Sequence, residues 1–369
     1  MVAPEQKNSE GTSGKRSFWI GLVLASAAAM TARWCVQADR STSSKQIITF
    51  QLLDGEARPL QAHPAEGSSV PSTTSAAPSD NRMPQTFLNF GYGTKEGQLG
   101  REKPTEGNPE GPMSFAVTGE GTYVVDQVNE RVLRLDKQGK VTARFPASRT
   151  TQDIAVAKDG TVALFDRHGK KSVALYDATG RSLGELPLQG PGIAQTGLST
   201  GVFIDGKDVY AEREHGALVR LGSLDGKPGD RKELSGRPSK DGQYLAGAWK
   251  GPERGFLYSA FDRSKNQLRF NRSHIPSFPI AQLMLLDTDL RGRMYVGVQA
   301  SDSSGSPRSE VIVYCFDAID GHATGRAVYR MSDVADESFK DAVVTDDGTI
   351  VFQYRDEAGV HFGETRCSN

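Results

Sequence analysis

Short apolar stretches separated by glycine turns recur along the chain from residue 86 to its end. The clearest unit spans residues 111–146, and a second copy spans residues 151–187 at an offset near 40 residues. Each unit holds four strand-like segments, which in the first unit are FAV, TYVV, VLRL and the stretch after the next glycine. Four short strands per repeat are typical of the blades of a β-propeller.

Weaker copies bring the number of units to six. Each copy places a glycine before an apolar segment, as Gly121 and Gly160 do in the first two units. These later glycines are Gly206, Gly255, Gly292 and Gly348. The last unit has three strand segments, whereas residues 86–91 (TFLNFG) precede the first unit as an extra one. We therefore predict an all-β, six-bladed β-propeller of four-stranded blades, closed into a ring by this N-terminal strand.

The first unit resembles a known repeat. Pro112, the FAV segment and the run VVDQVNERVLRLDKQGK resemble an NHL repeat, whose usual pattern is close to G-x-A-V, V-A-D-x-x-N-x-R-V and D-x-x-G. The second unit keeps Asp166 and Asp177, and the later units keep only the spacing. The resemblance implies a propeller of the TolB-like and NHL superfamily that binds proteins, RNA or small molecules. A few related six-bladed propellers are lactonases or lyases.

The chain before the repeats has a different composition. Residues 18–32 (FWIGLVLASAAAMTA) are apolar and follow Lys15 and Arg16, a pattern typical of an export segment. Two outcomes stay open, since cleavage after Ala38 would give a soluble exported protein and retention would leave a membrane anchor ending near Trp34. In both, we expect the propeller on the periplasmic or extracellular side.

These patterns divide the chain into four parts. They are a cytoplasmic n-region (residues 1–17), a signal peptide or single transmembrane anchor (18–38), a disordered linker rich in Ser, Thr, Pro and Ala (39–85), and the propeller (86–369). Contact with the membrane is expected only through the N-terminal segment.

The charge balance of the chain indicates which class of partner it can bind. Lys and Arg number 44 and Asp and Glu number 45, so the net charge of -1 lacks the basic excess that attracts nucleic acid. We therefore expect no nucleic-acid partner. The prediction for the propeller is a monomer that binds a protein or peptide.

A polar, mixed-charge turn follows the second strand in nearly every unit. Its candidate ligand-binding residues are Asp126, Asp166, Arg167, Glu212, Arg213, Asp262, Arg263, Arg355 and Asp356. In one interpretation, these residues satisfy turn backbone groups and pair between blades, as Asp126 would with Asn129 and Arg131. In the other, they form a rim that recognises a polar or peptidic ligand over the central channel, with Trp249, Tyr258 and Phe261 nearby in sequence.

Catalytic motifs are scarce. The six histidines show no metal-ligand spacing, and no Gly-x-Ser-x-Gly, phosphate-binding loop or Cys-x-x-Cys occurs. We expect no cofactor and no metal. The alternative is a metal-dependent lactonase- or lyase-like hydrolase, because a propeller can assemble a site from residues far apart in sequence.

Three cysteines occur in the chain. Cleavage after Ala38 would remove Cys35 and leave Cys315 and Cys367 as a pair in an oxidising compartment. A disulfide between them and two separate thiols, with Cys315 buried in its apolar strand, are both open.

Overall fold

The computed structural model describes residues 84–251, 254–302 and 304–368. The predicted export segment and nearly all of the predicted linker lie outside the described residues. No helix in the described part of the chain is long and apolar enough to cross a membrane.

The described chain forms six antiparallel sheets arranged as the blades of a propeller. It begins with β1 (Gln85–Tyr92) and β2 (Gln98–Leu99). Blade 1 holds β3 (Ser114–Thr118), β4 (Gly121–Asp126), β5 (Arg131–Leu135) and β6 (Val141–Pro146). Blade 2 holds β7 (Asp153–Val156), β8 (Val162–Asp166), β9 (Ser172–Tyr176) and β10 (Ser182–Pro187). Blade 3 holds β11 (Ser199–Asp205), β12 (Asp208–Arg213), β13 (Leu218–Ser223) and β14 (Glu233–Leu234).

The remaining three blades follow in chain order. Blade 4 holds β15 (Arg237–Pro238), β16 (Tyr244–Lys250), β17 (Phe256–Asp262) and β18 (Gln267–His274). Blade 5 holds β19 (Ile280–Thr288), β20 (Met294–Ser301), β21 (Pro307–Phe316) and β22 (Ala323–Arg330). Blade 6 holds β23 (Ala342–Val344), β24 (Ile350–Arg355) and β25 (Gly359–Thr365). The prediction of an all-β propeller with six blades is therefore confirmed.

Ring closure also follows the prediction. Strand β1 pairs antiparallel with β25, with Phe90 opposite Val360, and becomes the fourth strand of blade 6. Strand β2 adds two residues in parallel to β1. The ring of Phe362 packs edge-on against Phe90 and against Phe115 of blade 1, which fixes the closing strand to its neighbour.

Apolar side chains between neighbouring blades form the core. The clusters fill the contacts between blades 1 and 2, 2 and 3, 4 and 5, 5 and 6, and 6 and 1. Period-two alternation produces this arrangement, because the two faces of each blade both meet a neighbour. Between blades 4 and 5, for example, the ring of Tyr258 stacks on Phe316 at 3.9 Å between centroids.

One repeat differs from the sequence prediction. Gly255 was predicted to precede the second strand of the fourth unit, but it precedes β17, the third strand of blade 4. The glycine that precedes the second strand is Gly242, whose φ of 72° matches the left-handed turn glycines of the other blades. The inner strand β15 is only two residues long, which hid it from the repeat pattern.

Candidate functional site

The two faces of the disc carry different turns. Because each blade is an antiparallel sheet, the turn after its second strand lies on one face, and the turns after its first and third strands lie on the other. We call the first the turn face and the second the opposite face.

Seven of the nine predicted site residues lie on the turn face. They are Asp126, Asp166, Arg167, Glu212, Arg213, Arg355 and Asp356. Asp262 and Arg263 were predicted on the same face, and this placement is wrong. They follow the third strand of blade 4, and Arg263 forms a 2.8 Å ion pair with Asp205, which ends β11 on the opposite face.

The turn-face carboxylates are buried anchors for their own turns. Asp126 accepts hydrogen bonds from the backbone N–H of Gly100 at 2.8 Å, from Asn129 at 2.9 Å and from Arg131 at 2.7 Å. These are the intramolecular contacts predicted for the first unit. They leave little of the Asp126 carboxylate available to an external ligand.

Asp166 is a buried anchor of its turn in blade 2, and the half-buried Asp356 holds its turn in blade 6. Asp166 accepts hydrogen bonds from Ser148, from Thr150 and from the backbone of Gly169, at 2.6 to 2.7 Å. Burial alone would raise the pKa of Asp166, but these hydrogen bonds hold it below its usual value. Asp356 accepts from the backbone N–H of Ala358 at 2.8 Å within its own turn.

Glu212 is held by Arg237, which no sequence pattern singles out. Its carboxylate lies 2.8 Å from the guanidinium of Arg237 on β15 and accepts a hydrogen bond from Thr200 at 2.9 Å. Burial would raise the pKa of Glu212, but Arg237, His215 and Thr200 lower it to about 2. The pair joins blades 3 and 4 across an interface that carries charge.

The predicted arginines are also engaged within the chain. Arg213 donates to the carbonyl oxygen of Gly192 at 2.6 Å and pairs with Glu233 at 2.9 Å. Arg167 donates to the carbonyl of Ser199 at 2.9 Å, and its guanidinium lies over a phenylalanine ring. Arg355 is buried at 1% exposure and donates to the backbone of Glu337, so it is not part of a rim.

The side chains that the turn face presents to solvent are those at the tips of its turns. Among the described residues, seven residues other than glycine have positive φ, and five of them lie in these turns. They are Glu130, Lys171, Glu214, His215 and Arg254, with φ between 51° and 67°. All five are exposed. Their charges alternate around blades 1 to 4, with Glu130 negative, Lys171 positive, Glu214 negative and Arg254 positive.

The left-handed conformation is the least expected feature of these tips. It costs a residue with a Cβ atom about 1–2 kcal/mol relative to glycine, which adopts it readily. No sequence signal marked these positions, because nothing in a run such as HGKKS shows which residue will take a positive φ.

A segment before β23 covers part of the channel mouth on the turn face. The backbone N–H of Phe339 donates to the carbonyl of Met113 at 2.7 Å, and its ring packs against Phe165 of blade 2. The ammonium of Lys340 lies 2.6 Å from the carboxylate of Asp153, the first residue of β7. This segment therefore links blades 6, 1 and 2 at the mouth. No local pattern in the sequence predicts this segment.

Metal-binding side chains do not gather at this mouth in the part of the chain that the structure describes. The group of three found within residues 84–251, 254–302 and 304–368 is Asp317, Asp320 and His322. It lies on the β21–β22 turn, on the opposite face of blade 5.

Cys315 and Cys367 are joined as a disulfide, with their Cα atoms 6.5 Å apart. Cys315 is buried in the cluster between blades 5 and 6, and Cys367 follows the last strand. The bond therefore ties the end of the chain to blade 5.

No family model and no curated protein matches this chain. Solved structures with some similarity include Hsv2 from Kluyveromyces lactis, with 10% identity, a TM-score of 0.39 and coverage of 65% of this chain and 70% of that chain. A member of the DUF4221 family from Bacteroides vulgatus has 9% identity, a TM-score of 0.43 and coverage of 78% and 98%. The computationally designed Ika8 protein has 10% identity, a TM-score of 0.35 and coverage of 76% and 100%. The fold assignment rests on the six sheets and their pairing, and no match supports the finer NHL assignment.

Proposed function

We propose that this chain is a non-catalytic binding scaffold that recognises a protein or peptide through the turn face. The observation that carries the proposal is the set of exposed charged tips in the left-handed conformation on blades 1 to 4. Residues other than glycine in a strained backbone conformation concentrate at functional sites, because the loss of stability is tolerated where the side chain has a function.

The surroundings of the tips support a rigid recognition surface. Buried carboxylates such as Asp126 and Asp166 fix the turns from below, so the tips lose little entropy on binding. The alternating charges favour a partner that itself carries both signs, such as a protein surface or peptide, over a polyanion. The covering segment at Phe339 and Lys340 favours binding on the face over binding deep in the channel.

Export belongs to the same proposal. We infer that the apolar residues 18–32 direct the propeller across the membrane, either as a cleaved signal or as an anchor. The Cys315–Cys367 disulfide supports an oxidising compartment. The repeats are proposed to be divergent NHL repeats, on the strength of the first unit.

The binding surface can be tested by reversing charges on one face at a time. The full-length chain is used as bait in the exported fraction of its source, together with the variant K171E/R254E. The matched control is K137E/K207E, which reverses two exposed lysines in turns of the opposite face. We expect a partner that the wild type and the control hold alike and that K171E/R254E binds at least tenfold more weakly.

Two outcomes would contradict the proposal. One is a partner whose affinity is the same for both variants. The other is stoichiometric calcium or zinc in the purified protein, with lactone hydrolysis that chelation abolishes. Arg167 and Arg213 are unsuitable for this test, because reversing either would break contacts with the backbone of Ser199 or Gly192.

Export is tested separately with a reporter fused after Gln85. The reporter should be active outside the cytoplasm and silent when residues 18–32 are deleted. The mass of the mature protein then distinguishes a chain that begins at Asp39 from an intact, membrane-bound one. A reporter active in the cytoplasm would contradict export and leave the binding surface unaffected.

A further inference from the structure

The covering segment, residues 331–341, has its base on blade 6 and its tip on blade 1. At the base, the buried Arg355 of β24 donates to two consecutive carbonyl oxygens of the segment, at 2.9 and 3.1 Å. At the tip, the backbone N–H groups of Phe339 and Lys340 both donate to the carbonyl oxygen of Met113, at 2.7 and 3.2 Å. The tip therefore reaches across the channel mouth from a base that is anchored separately.

The ring of Phe339 occupies an aromatic pocket at the mouth. It packs against Phe165 with the ring centroids 5.7 Å apart, and the guanidinium of Arg167 lies 5.2 Å from the centroid of the Phe339 ring. The ring also lies against the apolar clusters between blades 1 and 2 and between blades 2 and 3. Phe339 is only half-buried, so this pocket opens to solvent at the mouth.

Lys340 occupies a second pocket beside the first. Its ammonium lies 2.6 Å from the carboxylate of Asp153 and donates to the carbonyl oxygen of Ile154 at 3.1 Å. The side chain of Asp153 is 1% exposed and that of Lys340 is 26% exposed, so the cation enters from the mouth. Asp153 also accepts hydrogen bonds from Ser114 of blade 1 at 2.7 Å and from the backbone N–H of Val202 of blade 3 at 3.1 Å. Three blades thus hold the carboxylate in place.

The two pockets determine what can replace the tip. A buried carboxylate that loses its cation is strongly destabilising, so a group that displaces Lys340 must bring its own ammonium or guanidinium to Asp153. An apolar ring must likewise replace Phe339, because its departure exposes the apolar surface of Phe165 to water. The site therefore selects an aromatic residue followed directly by a basic one.

We propose that the Phe339–Lys340 tip is an internal ligand, and that the channel mouth binds in its place an aromatic-basic residue pair carried by a peptide segment of the protein partner. This inference rests on the proposed function and adds a sequence feature of the partner. It also adds regulation, because the tip competes with the partner and lowers its apparent affinity by the fraction of chains with an open mouth. The base stays anchored by Arg355 when the tip leaves.

Peptide binding to an emptied site tests the proposal. The probe is the fluorescein-labelled peptide GSFKDG, which carries residues 338–341 between two glycines, and its matched controls are GSFQDG and GSAKDG. The protein is the full-length chain, as wild type and as F339A/K340A. In fluorescence anisotropy titrations, we expect F339A/K340A to bind GSFKDG at least tenfold more tightly than the wild type does. It should bind each control peptide at least tenfold more weakly than GSFKDG.

A second variant keeps the test decisive if F339A/K340A does not fold. D153N/F339A/K340A leaves no unpaired carboxylate in the emptied pocket. It should bind GSFKDG and GSFQDG alike and GSAKDG at least tenfold more weakly.

Three results would overturn the proposal. They are equal affinity of F339A/K340A and wild type for GSFKDG, equal affinity of F339A/K340A for the three peptides, and equal affinity of D153N/F339A/K340A for GSFKDG and GSAKDG. The peptide titrations need no captured partner and no change at Lys171 or Arg254. A failure here is therefore distinguishable from a failure of the charge-reversal test of the proposed function.

Discussion

The two faces of the disc use the same backbone conformation with different residues. On the opposite face, glycine has positive φ at the turn between the first and second strands of every blade. These glycines are Gly121, Gly160, Gly206, Gly242, Gly292 and Gly348. On the turn face, the left-handed positions of blades 1 to 4 are taken by Glu130, Lys171, Glu214, His215 and Arg254.

This difference distinguishes turns that serve folding from turns that present side chains to solvent. Glycine satisfies the turn geometry with no Cβ penalty, and the opposite face uses it between the first and second strands of every blade, with Asn266 as a left-handed residue other than glycine in the β17–β18 turn. The turn face keeps charged side chains in the same strained conformation on four consecutive blades, which lowers stability without adding contacts in the core. The comparison therefore favours the turn face as the proposed recognition surface.

The largest expected effect is on the opposite face. In Gly348→Ala, the new Cβ atom would lie 2.3 Å from the Tyr295 hydroxyl at a φ of 84°, so strain and overpacking combine. We expect the free energy of unfolding to fall by about 3 kcal/mol in urea titrations. Gly206→Ala is the control, because its Cβ atom meets nothing within 4 Å, and it should lose only about 1 kcal/mol. Equal losses of stability in the two variants would show that steric contact does not determine why glycine occupies position 348.

The next effect tests the buried anchors of the turn face. Glu212→Gln removes a charge that pairs with Arg237, and we expect a loss of about 2 kcal/mol at pH 7. The pKa of Glu212 is lowered from 4.5 to about 2 in the folded chain, so its contribution is complete above pH 4.5 and is lost as the pH falls towards 2. The stability difference between wild type and variant should shrink over that range.

A surface pair on the same blade is the control for this prediction. Glu233→Gln breaks an exposed ion pair with Arg213 and should change stability by less than about 0.5 kcal/mol. A difference between wild type and Glu212→Gln that does not vary with pH would show that Glu212 does not act through its charge.

The ring closure and the anchors could be predicted because they depend on local pattern. The strand segment at residues 86–91 belongs to no complete repeat, while the last repeat lacks one strand, so the closure of the ring could be predicted. Asp126 lies in a turn with the NHL-like spacing to Asn129 and Arg131, so its contacts could be predicted as well. Blade 4 was misread because Gly242 and Gly255 both precede apolar strands, and the two-residue β15 gave no strand signal. That shift of one strand also moved Asp262 and Arg263 to the wrong face.

Other features depend on contacts between distant parts of the chain. The salt bridge of Lys340 with Asp153 joins residues far apart in sequence, and no local pattern predicts it. The positive φ of Lys171 or Glu214 is likewise set by the surrounding turn, since neither residue type favours it.

The smallest expected effect has the opposite sign. Lys171→Gly removes the Cβ strain of a left-handed residue, and we expect the protein to become more stable by about 1 kcal/mol. The control is Lys207→Gly on the opposite face, where φ is not positive, and it should lose about 0.5 kcal/mol through chain entropy. Thermal unfolding of the two variants side by side gives the comparison. A loss of stability in Lys171→Gly would contradict the claim that the left-handed conformation of Lys171 is strained.

The most direct test of the account is the partner affinity of a chain in which four turn tips become glycine, E130G/K171G/E214G/R254G. The variant keeps every buried anchor and should fold with stability equal to or above that of the wild type. Titration calorimetry with the partner captured by the wild-type chain should show affinity at least 100-fold lower. Wild-type affinity in this more stable variant would contradict the claim that the turn face is the recognition surface.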